Sequence, residues 1–326
     1  MLRSTCAPTV PLYNLGPSAA SLRERIVRGL RQPLKELPPC LMYDARGARI
    51  SESLCRSTDY DFDRVERTFL RRHGAEIGRC VPARSLLVEY GSGPCRTTQV
   101  LLRHLPPPAA YLPVDWSMAQ LKRGVRRLSQ RAPDLTVIPV RADFTARFAL
   151  PMPQRRHART MVYLAAATLA ALEPSQAIAV LRGIARLCGR RGGVLVGTDL
   201  NHDAARFERA YNDRRGLAKA LNLNALSHAN RRFAGNFQRR RFLHYSFYNE
   251  SLRRIELHLL SQVDQVVAIG GSRIRVRKGE SIRTACAYQH SLRDVQRFAD
   301  AAGLQGQQSW LDHEGFFAMQ FFTAPP

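Results

Sequence analysis

The stretch Leu86-Leu87-Val88-Glu89-Tyr90-Gly91-Ser92-Gly93 decides the fold of this 326-residue chain. It begins as an apolar run of strand type and ends in an acidic residue and a Gly-Ser-Gly turn, after which residues 96–104 have the pattern of a helix. A second apolar run, residues 111–114, ends in Asp115, roughly 20 residues beyond the turn, where nucleotide-binding folds place a carboxylate for ribose hydroxyls. Because glycines let the backbone approach a ligand closely, this order of elements predicts a cofactor site that contains Gly91, Ser92, Gly93 and Asp115.

The turn lacks the glycine pattern of hydride-transfer enzymes. In their G-x-G-x-x-G fingerprint the third glycine position is occupied here by Arg96. Glu89 before the glycine turn instead resembles the first motif of S-adenosylmethionine-dependent methyltransferases, whose cofactor has ribose hydroxyls but no pyrophosphate. A Gly-x-Gly pair alone is more often an ordinary loop. The complete order of strand, acid, turn, helix, strand and aspartate favours the cofactor site.

Strands and helices alternate along the middle of the chain. Strands are predicted at 86–90, 111–115, 135–140, 160–164 and 193–199, and helices at 96–104, 117–130 and 174–188. This alternation predicts an α/β fold with a doubly wound, mainly parallel sheet, in which a ligand binds at the carboxyl ends of the strands. Asp143 and Phe144 follow such an end, and they are expected beside an adenine, although Asp-Phe is also an ordinary loop pair.

The pattern changes after Asp199, and the chain divides into predicted domains. Residues 1–30 mix Pro, Ser and Arg and are expected to be poorly ordered. Residues 31–82 are predicted to be helices that contribute to a substrate domain. Residues 83–200 together with 286–326 form the predicted core, and residues 201–285 are an insertion, helical and then strand-like, that covers the cofactor as a lid.

Composition indicates a folded globular enzyme. The chain is 45% hydrophobic, it shows no secretory signal, and its longest apolar run, 161–172, is shorter than the roughly 20 residues of a membrane span. We therefore expect a cytoplasmic protein with no membrane association. The seven cysteines are scattered and never in C-x-x-C spacing, so we expect reduced thiols, no disulfide framework and no metal site.

The formal charge of +24 raises the possibility of a nucleic-acid partner. Only four of the 50 basic residues are lysine, and arginine enriched together with alanine is typical of a high-GC genome. The basic clusters at 123–131 and 231–241 contain few aromatic residues, and no RNA-binding signature is present. We interpret these clusters as solvated surface and expect no specific nucleic-acid binding.

A set of collinear motifs resembles the histidine-specific Nα-methyltransferases of ergothioneine biosynthesis. The matching segments lie between about residue 35 and residue 322 and include residues 41–47, 88–93, 114–115, 142–144, 172–174, 197–200, 210–213, 247–249 and 254–259. The resemblance implies a class I, Rossmann-like methyltransferase core with a second, smaller α+β substrate domain. It also implies S-adenosylmethionine as cofactor and the amine of histidine as methyl acceptor.

The cofactor contacts of the family are largely retained. The resemblance assigns them to Gly91, Asp115, Asp143 and Phe144. The family lysine beyond the glycine turn corresponds to Thr97, and Arg96 beside it is a candidate substitute, although a planar guanidinium differs from an ammonium in its geometry.

The substrate contacts of the family are mostly lost. The second of two family tyrosines is Asp61, and the family asparagine that holds the amino acid is Ala171. The family Glu-x-Ser that grips the imidazole is Ala285-Cys286-Ala287, so that Tyr211 alone remains of the principal contacts. Since each lost polar contact costs on the order of 1.5–3 kcal/mol, histidine is not expected to be the acceptor. The alanines predict a larger, more apolar pocket.

Three functional hypotheses follow. The first is a small-molecule N-methyltransferase with altered specificity for an amino acid or amine, acting as a monomer. In it Asp61 or Tyr211 orients the amine, and Asp61 accepts its proton through a water molecule. The second is a catalytically impaired binding or regulatory protein that keeps the cofactor site. The third, supported only by the basic surface, is an RNA methyltransferase.

Overall fold

The computed structural model describes residues 11–153 and 156–325. Its helices are α1 (Ala19–Leu30), α2 (Ala45–Leu54), α3 (Phe62–Arg79), α4 (Thr98–Leu101), α5 (Met118–Ser129), α6 (Ala166–Ala170), α7 (Pro174–Cys188), α8 (Ala204–Tyr211), α9 (Leu217–Phe233) and α10 (Leu292–Ala301). Its strands are β1 (Tyr13–Asn14), β2 (Lys35–Glu36), β3 (Leu86–Tyr90), β4 (Ala110–Asp115), β5 (Val140–Arg141), β6 (Thr160–Leu164), β7 (Gly193–Asp199), β8 (Phe242–Asn249), β9 (Arg254–Ser261), β10 (Gln265–Ile269), β11 (Ser272–Val276), β12 (Ser281–Tyr288), β13 (Gln305–Leu311) and β14 (Phe317–Thr323).

The core is an eight-stranded sheet in the order β1-β5-β4-β3-β6-β7-β14-β13. The strands from β1 to β7 pair in parallel along this order, and β14 is antiparallel to both of its neighbours. Side chains of α7 and α10 pack on one face of the sheet, and those of α3 and α5 pack on the other. The predicted doubly wound α/β fold is confirmed.

The strand order reverses between β3 and β6. From β3 the chain moves outward through β4 to β5, and it then returns to β6 on the other side of β3. The carboxyl ends of β3 and β6 therefore border a crevice at the topological switch point, where doubly wound folds bind ligands. The Gly-Ser-Gly turn that follows β3 lies at this crevice.

Two predicted core elements are shorter than expected. The strand predicted at 135–140 is reduced to a bridge between Val137 and Tyr111 and the two residues of β5, because Pro139 has no N–H for the ladder. The helix predicted at 96–104 is only the single turn of α4, flanked by turns. The glycine turn is therefore followed by a compact loop rather than by a long helix.

A second lobe consists of α1, α2 and α9 with the four-stranded sheet β2-β12-β9-β8 and the hairpin of β10 and β11. Its core includes Ile26, Leu41, Leu226 and Leu259, all with no measurable exposure. Strand β12 pairs with β9 along its whole length from Ser281 to Tyr288. The predicted boundary at 285/286 is therefore wrong, since it divides a strand that belongs entirely to this lobe.

The N-terminal segments also differ from their prediction. Residues 1–10 lie outside the described residues, but residues 19–30, predicted to be poorly ordered, form α1. The side chains of Leu22, Ile26 and Leu30, one helical turn apart, are buried in the second lobe. Helix α3, assigned by sequence to the substrate domain, packs Phe69 into the core sheet.

Within the described residues, the structure contains no helix of the length and apolarity needed to span a bilayer.

Candidate active site

The switch-point cavity is the crevice at the carboxyl ends of β3, β4 and β6. Gly91 has a φ of +73°, and a side chain at this position would come within 2.1 Å of Thr168 Oγ1. Gly93 has a φ of +50° with open space where a Cβ would lie. The turn thus needs glycine for its backbone conformation, and it leaves room for a ligand along its backbone.

Asp115 at the end of β4 is fixed beside this turn. Its Oδ2 accepts a hydrogen bond from the Gly93 N–H at 2.9 Å, and its Oδ1 accepts one from the Ser117 N–H at 2.7 Å. Burial raises the pKa of Asp115 to about 6, although both N–H groups act against this shift. Each carboxylate oxygen keeps a further lone pair, so that Asp115 is positioned to accept two ligand hydroxyl groups.

Other polar and aromatic groups in this cavity also fit a nucleoside. Ser92 Oγ and Gln120 Oε1 are buried and have no hydrogen-bond partner in the protein. Trp116 stacks against Phe144 with 5.8 Å between ring centroids, and its other aromatic neighbour is Tyr43 at 6.3 Å. The sequence prediction missed Trp116 and Tyr43. The position of Trp116 directly after the ribose-type aspartate was the available signal.

Glu89 lies beneath the glycine turn and is 2% exposed. The hydroxyls of Thr98 and Tyr111 donate hydrogen bonds to its Oε2. Burial raises the pKa of Glu89 to about 8. At neutral pH the side chain is therefore mainly the neutral acid, which connects β3, α4 and β4 at the wall of the switch-point cavity.

The cationic side chains that line the switch-point cavity are paired with carboxylates. Arg96 Nε lies 3.4 Å from Asp63 Oδ2, and the Thr97 hydroxyl donates to the other oxygen of Asp63 at 3.0 Å. Arg25 of α1 forms a 2.6 Å ion pair with Asp143. Asp143 itself does not line this cavity, in contrast to Gly91, Ser92, Gly93, Arg96, Asp115 and Phe144.

A second cavity, the aromatic cavity, lies beside the first. Its walls include Tyr60, Phe62, Phe207, Tyr211, Tyr288 and Phe317. The Tyr60 ring lies 5.7 Å from the Tyr211 ring, which is 6.2 Å from Phe62. Tyr60, Phe62, Glu66 and Ala167 line both cavities. A ligand in the aromatic cavity is therefore adjacent to a ligand at the switch point.

Two buried titratable groups face the aromatic cavity. Glu66 is 3% exposed, and its Oε1 accepts hydrogen bonds from the Tyr163 hydroxyl at 2.7 Å and from the Ala166 N–H at 3.2 Å. Burial raises the pKa of Glu66 to about 7. His290 has a buried Nε2 without a partner, and burial lowers its pKa to about 4. The sequence prediction missed both residues.

Comparison with known proteins identifies the family. The family described as histidine-specific methyltransferase, SAM-dependent, matches residues 22–324. The histidine N-alpha-methyltransferase of Mycobacterium tuberculosis (strain CDC 1551 / Oshkosh) is 30% identical over 94% of this chain and 96% of the relative. The chain belongs to this family. It is an S-adenosylmethionine-dependent methyltransferase, and the predicted enzyme class and cofactor are confirmed.

Other relatives are named as N-methyltransferases, one of them for an acceptor other than histidine. The N-methyltransferase benX of Aspergillus terreus is 27% identical over 90% of this chain and 86% of its own length. The 4-dimethylallyltryptophan N-methyltransferase easF of Claviceps purpurea is 24% identical over 93% and 95%. Family membership therefore establishes an N-methyltransferase without fixing the acceptor as histidine.

Asp61 differs from its predicted environment in this methyltransferase. Its Oδ1 accepts a hydrogen bond from Arg206 Nε at 3.0 Å, and the same guanidinium binds both oxygens of Asp199 at 2.9 Å. Asp61 lines neither cavity. The sequence hypothesis that Asp61 receives the proton of the acceptor is not supported by this geometry, because Arg206 already balances its charge.

The remaining predicted substrate residues lie in different places relative to the two cavities. Tyr211 and Ala287 line the aromatic cavity, and Ala171 lines the switch-point cavity. Ala285 is half-buried and packs beside the cluster of Phe207 and Ile255. Burial raises the pKa of Tyr211 to about 12, so that the phenol is neutral at physiological pH.

Proposed function

We propose that this methyltransferase transfers methyl groups to the amine of a small acceptor bound in the aromatic cavity, and that free histidine is not its preferred acceptor. The observation that supports this proposal is the wall that the two cavities share. This wall is formed by Tyr60, Phe62, Glu66 and Ala167. Methyl transfer requires the acceptor nitrogen and the methyl donor in direct contact and in line. Two adjoining cavities with a common wall support such an arrangement.

We infer which residues hold the cofactor from the groups in the switch-point cavity that fit a nucleoside. Asp115 accepts the ribose hydroxyls, the unpartnered Ser92 and Gln120 supply further polar contacts, and Trp116 packs against the adenine. Arg25 and Arg96, the arginines that line this cavity, are the candidates for the methionine carboxylate. The bound cofactor supplies an activated methyl group on a positively charged sulfur.

The protein's own contribution is to align a neutral amine and to exclude water. An acceptor amine is a nucleophile only after it loses a proton. Tyr60 and Tyr211 form neutral aromatic walls beside it, and the alanines at 171 and 287 provide none of the polar contacts that the resemblance assigns to histidine binding. An acceptor with a larger, less polar body than histidine gains about 25 cal/mol for each Å² of apolar surface that it buries.

The first test is cofactor binding by calorimetry. We expect S-adenosylmethionine and S-adenosylhomocysteine to bind, and Asp115→Ala to weaken both at least about tenfold, because it removes a charge-assisted bidentate contact. Asp134→Ala, which changes an exposed carboxylate, is the matched control and should leave the affinity unchanged. Absence of both binding heat and thermal shift with either ligand would contradict the assigned cofactor site.

The second test is a screen of amine acceptors with a radiolabelled methyl donor. We expect transfer to at least one acceptor larger than histidine and poor transfer to histidine. Cofactor binding without transfer to any amine would favour a catalytically impaired regulatory protein. Efficient trimethylation of histidine would overturn the proposed specificity.

We further propose a cytoplasmic monomer without a specific nucleic-acid partner. Size-exclusion chromatography would test the oligomeric state, and the salt series described below would test nucleic-acid binding.

A further inference from the structure

The charges around the aromatic cavity identify the kind of acceptor that it can hold. Its ionisable side chains apart from tyrosines are Glu66, Asp199 and His290, and among the residues that the structure describes no arginine or lysine lines it. His290 is neutral at physiological pH, because burial lowers its pKa. The cavity therefore offers carboxylates and aromatic faces, but no cation.

Arg206 and Arg254 contact walls of this cavity, and neither is available to a ligand. Arg254 donates to the Tyr288 hydroxyl and is paired with Glu256 at 2.8 Å. Arg206 contacts the Phe62 ring. It is held at 2.9 Å by both oxygens of Asp199 and at 3.0 Å by Asp61, and its side chain is 9% exposed. Its guanidinium carbon lies 4.6 Å from the centroid of the Phe62 ring. Its charge is thus balanced inside the wall, and a ligand carboxylate would have to displace a bidentate protein carboxylate to reach it.

An amino acid differs from the corresponding amine by a carboxylate, and the aromatic cavity offers that group hydroxyl donors, from Thr198 and the tyrosines, but no cation. A carboxylate taken out of water is strongly disfavoured unless an opposite charge is paired with it. Ala171, which lines the adjoining cavity, supplies no side-chain amide that could receive such a group. An ammonium group is favoured by the buried carboxylate of Glu66 and by the faces of the surrounding aromatic rings.

The position of Glu66 suits contact with the reacting nitrogen. It lines both cavities, and both of its protein hydrogen bonds are made to Oε1. The remaining acceptor capacity of the carboxylate is therefore open to a ligand. At the other side of the aromatic cavity, the unpartnered Nε2 of His290 offers an uncharged hydrogen-bonding nitrogen to the body of the ligand.

On the basis of the proposed methyl transfer, we infer that the acceptor is an arylalkylamine, a cationic amine with an aromatic body and no carboxylate, and that Glu66 is the residue that receives its ammonium group. The ammonium transfers one proton to the Glu66 carboxylate. The freed nitrogen lone pair then forms the bond to the methyl carbon as the carbon–sulfur bond breaks. The products are a methylated ammonium, a neutral thioether and a protonated Glu66, which returns its proton to solvent.

Matched pairs of acceptors test this inference directly. Tryptamine with tryptophan, phenethylamine with phenylalanine and histamine with histidine differ within each pair only by the carboxylate. Binding is measured by calorimetry on the full chain saturated with S-adenosylhomocysteine, and methyl transfer is then measured with the radiolabelled donor. We expect the amine to bind at least about tenfold more tightly in the pairs that bind, the cost of one unpaired charged group.

The outcomes separate this inference from the proposed function. Tighter binding of the amino acid in every pair, or no binding of any of the three amines, overturns the acceptor class while cofactor binding still stands. Failure of S-adenosylhomocysteine to bind overturns the proposed cofactor site itself. Binding of the amines without their methylation supports the acceptor class but overturns the proposed methyl transfer, as expected of a catalytically impaired protein.

Two substitutions provide independent checks. Glu66→Gln keeps a hydrogen-bond acceptor for Tyr163 but removes the charge of the carboxylate. This substitution should weaken amine binding at least about tenfold. It should also remove the inflection near pH 7 from the pH profile of kcat/KM. Glu76→Gln, at an exposed position of α3, is the control. Ala171→Asn should shift the preference towards the amino acid. Unchanged amine affinity in a folded Glu66→Gln protein that still binds S-adenosylhomocysteine would overturn the inference.

Discussion

Three buried carboxyl groups of this methyltransferase differ in the chemistry that they can perform. Glu66, Glu89 and Asp115 are each at most 5% exposed, and burial raises the pKa of all three. Each has a different set of donors: a phenol with a backbone N–H, two hydroxyls, or two backbone N–H groups. The carboxyl group thus supplies the proposed proton acceptor, a neutral structural acid and the proposed ribose ligand, according to its neighbours.

Glu89 makes stability depend on pH in a defined direction. Its folded-state pKa of about 8 lies above the ordinary value of 4.5, so that between these values the folded protein binds more protons than the unfolded chain. The contribution of Glu89 is therefore fully present below about pH 4.5 and is lost as the pH rises towards 8. Glu89→Gln, which mimics the neutral acid, should gain stability relative to the wild type across this interval.

Urea unfolding of both proteins at pH 5, 6, 7 and 8 measures this effect. The difference in unfolding free energy should grow with pH in favour of Glu89→Gln, whereas the exposed Glu314→Gln should give a constant difference. A difference that is independent of pH would show that Glu89 is ionised in the folded protein.

Asp61 illustrates how a residue change alters a neighbour as well as a ligand. At the position of a family tyrosine, its carboxylate contacts Arg206, which is 7% exposed. Tyrosine at position 61 would leave that buried guanidinium with Asp199 alone. We therefore attribute the aspartate to balance of the buried arginine charge.

At the scale of elements, the sequence predicted those parts of the fold whose signal is local. Strands β3 and β6 and helix α7 agree with their predicted bounds, because buried parallel strands are continuous apolar runs and α7 has Pro174 at its first turn with a capping box. Helix α1 was missed although Leu22, Ile26 and Leu30 recur at helical spacing, because the Pro, Ser and Arg content of residues 1–30 was interpreted as poor order. The single turn of α4 and the interrupted strand near Pro139 were overestimated, because tertiary contacts override propensity.

The candidate site was predicted better on its cofactor side than on its acceptor side, where Tyr211 and Ala287 were identified but Glu66 was missed. The glycine turn and Asp115 have a fixed order and spacing, whereas Glu66 reaches the cavities through contacts with Tyr163 and Ala166, which are 97 and 100 residues away in sequence. The ion pair of Arg25 with Asp143 spans 118 residues. No local pattern encodes such pairs. The role of Asp61 was misjudged for the same reason, since Arg206 lies 145 residues beyond it.

Helix α1 connects the two lobes at the cofactor site. Its apolar face is buried in the second lobe, while Arg25 forms the 2.6 Å ion pair with Asp143 of the core and lines the switch-point cavity. Arg25→Ala should therefore loosen α1 and weaken S-adenosylhomocysteine binding by a factor of about 3–10, the value of a partly exposed charged contact. Calorimetry and amide hydrogen exchange of α1 measure the two effects.

Arg28→Ala is the matched control for this prediction, because Arg28 lies on the exposed side of the same helix. It should change neither the cofactor affinity nor the exchange rates of α1. Equal cofactor affinity in Arg25→Ala and the wild type would show that the ion pair does not contribute to the cofactor wall.

At the scale of the whole molecule, many arginines are paired with carboxylates, and the net charge of +24 is what remains after all acidic residues are counted. Glu52 alone pairs with Arg56, Arg123 and Arg127, and Asp294 pairs with two further arginines. One strongly charged groove is lined by six arginines, Arg67, Arg71, Arg96, Arg103, Arg127 and Arg131. Three of them, Arg67, Arg96 and Arg127, are paired with carboxylates. The groove includes no aromatic side chain on which a base could stack.

The absence of an aromatic stacking surface in this groove predicts weak and unspecific binding of nucleic acid. Contacts to phosphate alone release counterions, so that affinity falls steeply as salt rises, and exposed charges are screened beyond about 8 Å at physiological ionic strength. Filter binding of single-stranded and structured RNA from 20 to 300 mM salt should therefore show retention only at the low end, without preference among sequences. Replacement of Arg71 and Arg103 by alanine should reduce the salt slope without changing cofactor affinity. Tight RNA binding at about 150 mM salt would instead require the arginine groove to form a specific site, and RNA would then replace the small amine as the leading acceptor.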